Sequence, residues 1–197
     1  MKAIAVFGAS SSELRPAHYE AAREMGRCIA KAGCGLVFGG GDKGVMGACA
    51  RGAHEEKGRV TGVIPEALHQ PGIAYPLCDE LIVTRDLRDR METMARLSDA
   101  FVIMTGGFGT LYELFEVLTL NQLRYLEKPV VVVNTEGYYD ALREQFEVMY
   151  AEKCAREQCR CLYAFAATPG EAMALMQSWP LEERRKWQGS IPAGEAK

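Results

Sequence analysis

The chain has 197 residues, of which 48% are hydrophobic and 25% charged, with a formal net charge of −3. That length fits one domain with a substantial core. A weakly acidic balance excludes the chain-wide basic surface that nucleic acid or an anionic membrane would call for. No apolar run approaches the ~20 residues of a membrane span. The seven cysteines, an odd number, lie mostly in apolar or helical segments and read as reduced thiols of a cytoplasmic protein. Cys154, Cys159 and Cys161 lack the paired spacing of a zinc site, so no metal is expected.

Ala3–Phe7 reads as a first strand, too short for a signal peptide. Pro16 opens a helix in which Tyr19, Ala22, Met25 and Ile29 recur at helical spacing, and Gly33 ends it. Residues 36–38 form the next strand, followed by Gly39-Gly40-Gly41-Asp42-Lys43-Gly44 and a helix over 45–57. A strand at 59–64 leads into a loop over 66–79 containing Pro71, Gly72 and Pro76, and then a short strand at 80–83. The polar helix 86–97 carries Leu87, Met91, Met94 and Leu97 on one side. Residues 100–104 are wholly apolar, as the centre of a parallel sheet demands. A glycine-rich turn at 105–109 precedes a long helix over 110–126. Strand 130–133, helix 138–154, strand 161–165 and helix 169–178 complete the pattern, and 181–197 reads as a frayed tail or interaction arm. The alternation predicts a Rossmann-like α/β fold over 1–180: one doubly wound parallel sheet with helices on both faces, forming a single nucleotide-binding domain. Ligands of such sheets sit beyond the carboxyl ends of the strands, where both glycine clusters fall.

The first cluster, Gly39-x-Gly41-x-x-Gly44, has dinucleotide spacing. It follows the second strand rather than the first, and the nearest acid, Glu66, lies past Pro65 and outside the strand. Three readings stand: a turn whose Gly40 and Gly41 face a phosphate or base, a structural tight turn, or, with less support from its position, the dinucleotide site of an oxidoreductase. In the second cluster, Thr105-Gly106-Gly107-Phe108-Gly109-Thr110, the amides of Gly107, Gly109 and Thr110 would face an anion at the helix mouth. The Thr110 hydroxyl either adds a donor or caps the helix. Glu113 falls within the first turn, where it is either a helix-start acid or, with Glu116 on the same face, a pocket carboxylate. A carboxylate beside a bound phosphate requires a cation, which Arg88 or Arg90 would supply.

Together these motifs resemble the LOG ("Lonely guy") family of cytokinin riboside 5'-monophosphate phosphoribohydrolases, often mislabelled lysine decarboxylases. Residues 105–113 match its PGGxGTxxE motif except at the first position, and residues 39–47 match its GGGxxGxMG turn. Residues 62–65 match a GVIP segment; Arg90, Met94 and Ser98-Asp99-Ala100 match an Arg-Lys, Met, SDA series; Lys128-Pro129 matches a KP pair. The resemblance implies Glu113 and Arg90 as catalytic residues. It implies that Gly106, Gly107, Phe108, Gly109 and Thr110 form the phosphate turn, with Ser10 near the phosphate and Thr119 in the ligand pocket. Thr105 stands in place of the Pro, Met91 in place of the Lys beside Arg90, removing a positive charge, and Tyr112 in place of a common Glu. A nucleoside 5'-monophosphate is the implied substrate and no cofactor is expected. A pyridoxal Schiff base would need a pocket lysine, and none stands beside the second glycine turn. The rival reading is a non-catalytic nucleotide or cofactor carrier similar to molybdenum-cofactor carrier proteins, which would not need the Arg–Glu pair. Leu118, Leu120, Leu123, Tyr125 and Leu126 read either as core or as the seam of a homodimer, which the resemblance favours. His18, His54 and His69 show no ligand or triad spacing and are treated as incidental.

Overall fold

The computed structural model describes residues 1–179; the expected tail at 181–197 lies outside them. Seven strands form one sheet: β1 (Ala3–Phe7), β2 (Gly35–Phe38), β3 (Val60–Pro65), β4 (Glu80–Thr84), β5 (Ala100–Ile103), β6 (Val130–Val133) and β7 (Ala164–Ala166). All neighbouring pairs are parallel, in the order β4-β3-β2-β1-β5-β6-β7. The chain steps outward from β1 to β4, then returns to β1's other side with β5. The order therefore reverses between β1 and β5, which opens a crevice at their carboxyl ends.

Period-two alternation along the strands builds two cores, one on each face. Ile4 and Val6 face α1 (Pro16–Lys31), α2 (Gly44–Glu55) and α6 (Pro169–Gln177). Ala5 and Phe7 face α3 (Leu87–Leu97), α4 (Phe108–Gln122) and α5 (Asp140–Ala151). Phe7 and Phe101 stack across the β1–β5 pair with ring centroids 6.0 Å apart. Helices α1 and α2 approach closely because their contact is made of glycine: a β-carbon on Gly52 would lie 1.9 Å from the Arg23 carbonyl oxygen. No helix among the described residues is long and apolar enough to cross a membrane.

Several boundaries differ from expectation. Helix α4 begins at Phe108 rather than 110 and ends at Gln122 rather than 126, because Arg124 takes a left-handed conformation (φ 66°) and the Tyr125 N–H turns back to the Leu120 carbonyl. The strand expected at 161–165 is displaced by a 3₁₀ turn over Glu157–Leu162, leaving Ala164–Ala166 to pair with β6. The 66–79 loop contains a 3₁₀ turn, Glu66–Leu68, and is tied to the first glycine turn. The Tyr75 N–H donates to the Gly40 carbonyl (2.8 Å) and the Asp42 N–H to the Ile73 carbonyl (2.9 Å).

Candidate active site

The crevice between β1 and β5 is a cavity of about 680 Å³ walled by segments that follow β1, β2, β3 and β5. Two backbone hydrogen bonds lock three of these segments side by side. The Ala9 N–H donates to the Thr105 carbonyl (2.9 Å), and the Val45 N–H to the Ala9 carbonyl (2.9 Å). Gly44 (φ 65°) makes the second contact possible, since a β-carbon there would lie 2.3 Å from the Ala9 oxygen.

On the β5 side, the first bond of the α4 ladder runs from the Leu111 N–H to the Gly107 carbonyl (3.0 Å). The N–H groups of Phe108, Gly109 and Thr110 therefore precede the ladder and lack partners within the helix. Gly107, Gly109 and Thr110 line the cavity. A β-carbon at Gly107 or Gly109 would meet nothing within 4 Å. Neither glycine is required by the protein's own packing, so the room they leave belongs to the cavity. Thr110 is not the cap. The cap position is Gly107, which makes no side-chain hydrogen bond, and the Thr110 side chain instead covers Gly106, where a β-carbon would lie 2.1 Å from Thr110 Oγ1.

The rest of the turn is held from behind. Tyr138 Oη donates to the Gly106 carbonyl (2.8 Å), and Tyr139 Oη to the Met104 carbonyl (2.8 Å). Thr105 Oγ1 lies 2.9 Å from Nδ1 of buried His18. Burial, reinforced by Arg15 and opposed by Glu136, holds the His18 pKa below its ordinary value. A side-chain contact thus tethers the position where the resembling family has a proline.

Opposite the turn, Arg90 Nη1 donates to Glu113 Oε1 at 2.7 Å, with only about a tenth of either side chain exposed. Asp86 caps α3 by accepting from the Asp89 N–H (2.8 Å), while Met91 and Met94 bury the adjacent helix face. Strand β2 stops pairing with β3 at Phe38–Gly62, which leaves the Val63 carbonyl to accept from Arg90 Nε (3.1 Å). A β-carbon on Gly39 would lie 2.5 Å from Arg90 Nη2, so Gly39 admits the guanidinium. Burial raises the Glu113 pKa above the ordinary carboxylate range; Arg90 pulls it back, and Glu116 adds to the rise. Glu113 sits in the second helical turn rather than the first, as α4 starts early, so the helix-start reading loses its basis.

The cavity thus brings together Ser10, Gly41, Arg90, Gly107, Gly109, Thr110 and Glu113. Gly106 lies behind it under Thr110, and Gly40 (φ 75°) serves the turn, a β-carbon there meeting Ile64 at 3.2 Å. Phe108 points outward and is 94% exposed. Thr119 and Glu116 line a separate shallow cleft with Tyr112, Phe115 and Leu120. Met91 is 1% exposed in the core, so the missing family lysine leaves no gap in the cavity wall. Sequence reasoning missed Gly39, Lys43 and the apolar wall of Ile64, Leu68, Ile73 and Leu87. It also missed His18, whose spacing from Ala22, Met25 and Ile29 already marks the buried face of α1.

A family model described as "Possible lysine decarboxylase" matches residues 46–176. A "Probable cytokinin riboside 5'-monophosphate phosphoribohydrolase" of Oryza sativa subsp. japonica is 36% identical over 176 residues, covering 89% of this chain and 79% of that protein. A cytokinin riboside 5'-monophosphate phosphoribohydrolase of Arabidopsis thaliana is 40% identical over 141 residues, covering 72% of this chain and 65% of that one. The solved molybdenum cofactor carrier protein of Chlamydomonas reinhardtii matches with a TM-score of 0.68 at 28% identity, covering 91% of this chain and 98% of that one. With a matching model over most of its length and relatives this similar, the chain belongs to the LOG family of cytokinin riboside 5'-monophosphate phosphoribohydrolases.

Proposed function

We propose that this protein hydrolyses the N-glycosidic bond of a nucleoside 5'-monophosphate of the AMP or cytokinin-riboside type, releasing the free base and ribose 5-phosphate. The observation that carries this reading is the buried Arg90–Glu113 pair, 2.7 Å apart and opening into the same cavity as the amides at the start of α4. Those amides and the Thr110 hydroxyl hold the 5'-phosphate, and Ser10 faces it across the cavity. The remote anchor places the sugar so that binding energy serves positioning. Breaking the bond builds positive charge on the ribose ring, as in glycoside hydrolysis. Glu113 stabilises that charge and accepts a proton from the attacking water as its oxygen bonds the anomeric carbon. The base departs with the electron pair of the broken C–N bond and takes a proton from solvent. The raised proton affinity of Glu113 suits a general base. Arg90 fixes the carboxylate's direction and offsets its charge.

The decarboxylase description of the family model implies pyridoxal chemistry, which needs a buried Schiff-base lysine and an acid or arginine free for the cofactor ring. A lysine of the first glycine turn lines the cavity, but Lys43 is exposed and the buried acid, Glu113, is bonded to Arg90. This donor set does not fit the cofactor. The likeness to a molybdenum cofactor carrier favours non-catalytic binding as the second reading. A carrier, however, has no use for an acid held buried beside a guanidinium. We take 1–180 as one nucleotide-binding domain and 181–197 as a polar tail. Exposed Tyr112, Phe115, Leu123 and Tyr125 on and just beyond α4 support a homodimer, and the buried cysteines Cys34, Cys49 and Cys159 fit a reducing, cytoplasmic setting.

Chromatographic detection of adenine or isopentenyladenine released from the corresponding monophosphates tests the function. Release from the monophosphate with far slower release from the free nucleoside is expected. Equal turnover of both refutes the phosphate anchor, and no release from either refutes the hydrolase. Glu113→Gln is expected to bind AMP yet lose most activity; an active variant removes the carboxylate from the mechanism.

A further inference from the structure

We infer that Lys43 is the counter-cation for the substrate phosphate, a role that no part of the family motif assigns; this inference rests on the proposed nucleotide site. The argument is one of charge balance. Four charged side chains line the cavity: Asp42, Lys43, Arg90 and Glu113. Arg90 is committed to Glu113 at 2.7 Å and to the Val63 carbonyl at 3.1 Å. Asp42 is neutralised by Arg51 Nη1 at 2.8 Å, which also bonds the Asp42 carbonyl. Among the described residues the Lys43 ammonium has neither an ion pair nor a hydrogen bond, so it alone gives the cavity wall an uncommitted positive charge.

A phosphate monoester carries close to two negative charges at pH 7. The start of α4 offers partial charges equivalent to about half a unit, and ionised Glu113 opposes the anion from the same helix. A mobile cation therefore has to complete the balance. Met91 lies in the core, so position 91 does not provide one. The geometry places Lys43 suitably. It precedes Gly44 with an extended backbone (φ −95°, ψ 169°), and a β-carbon on Gly44 would lie 2.3 Å from the Ala9 oxygen and 2.8 Å from the Ser11 oxygen, so the two segments run side by side. The next hydrogen bond along, from the Ala9 N–H to the Thr105 carbonyl, joins that segment to the phosphate turn. Lys43 therefore lines the same cavity as Gly107, Gly109 and Thr110, its segment joined to theirs through Ala9. Its flexible four-carbon stem lets the ammonium follow an anion in the cavity.

The test measures calorimetric binding of ribose 5-phosphate and of inorganic phosphate to the parent protein, Lys43→Ala and Lys43→Arg, with adenine release from AMP followed in parallel. Lys43→Ala is expected to weaken both anions about tenfold, the loss of one charge-assisted hydrogen bond. It should also flatten the salt dependence and raise KM for AMP more than it lowers kcat. Lys43→Arg should retain most of the affinity, and all three proteins should share one melting temperature, since the side chain is exposed. Unchanged ribose 5-phosphate affinity in Lys43→Ala overturns the inference, as does failure of the parent to bind either anion. If the parent binds ribose 5-phosphate with Lys43-dependent affinity yet releases no base from AMP, the hydrolase reading fails while the role of Lys43 stands.

Discussion

Replacing Arg90 by Met removes the guanidinium while keeping an unbranched side chain in the space beside Gly39. Glu113 then remains buried without its 2.7 Å partner. With about 4 Å between charge centres and an effective dielectric near 20, the lost attraction is about 4 kcal/mol, which pushes the Glu113 pKa further up. Some water reaches the pair, since about a tenth of each side chain is exposed, so the energy expressed is about 3 kcal/mol. The sign follows from proton counting. A carboxyl whose folded pKa is raised binds more protons folded than unfolded, so its contribution is fully present below the unfolded pKa. It is lost as pH rises from there through the folded value. Glu113 is already raised by burial in the parent protein. The variant extends that window upward, and its stability should fall by up to about 1.4 kcal/mol per pH unit across the extension. Urea unfolding of Arg90→Met from pH 4 to 8 measures this directly. The penalty relative to the parent should be small near pH 4 and about 3 kcal/mol near pH 8. Adding Glu113→Gln should remove the slope and restore much of the loss. A penalty that stays flat across that range, or a slope that survives Glu113→Gln, refutes the assignment of Glu113 as a buried acid held by Arg90.

Gly109→Ala should leave unfolding midpoints within about 0.5 kcal/mol of the parent while abolishing AMP binding, because its β-carbon meets only cavity space; a variant that binds normally contradicts a phosphate at that turn. Gly52→Ala should do the reverse, costing several kcal/mol because its β-carbon meets the Arg23 backbone. Thr105→Val strands the His18 nitrogen, so a loss of about 1–3 kcal/mol with a raised KM for AMP is expected; thermal melts and kinetics with no change in either would dissociate His18 from the turn. Tyr125→Glu, at a side chain 75% exposed, should convert a dimer to monomer in sedimentation velocity, and an unaltered sedimentation coefficient would place any association elsewhere.

The layout of the sheet was legible because buried parallel strands are short apolar runs and their helices carry a 3.6-residue pattern. Arg90 and Glu113 were legible through motif spacing, and the structure joins them across two helices. Other positions depended on rotations and contacts that spacing does not encode. Met91 follows Arg90 by one residue, about 100° around the helix, which turns it into the core. Thr119 follows Glu113 by six residues, about 240° around α4, and so reaches a different cleft. Leu68 and Ile73 approach the cavity only because a segment distant in sequence folds onto it, which no local pattern announces.

The proposed reacting groups and the apolar wall of the cavity belong to different kinds of segment. Thr110 and Glu113 lie three residues apart on one helix, so the spacing between anchor and acid is locked by backbone geometry. Leu68, Gly72 and Ile73 stand on a connecting loop fastened to the first glycine turn by a few backbone bonds. In the proposed site, changes in that loop would resize the cavity without touching the spacing of Thr110 and Glu113. If the proposed chemistry holds, a change of preferred substrate is open to this scaffold through a surface loop that leaves the helix carrying Glu113 in place.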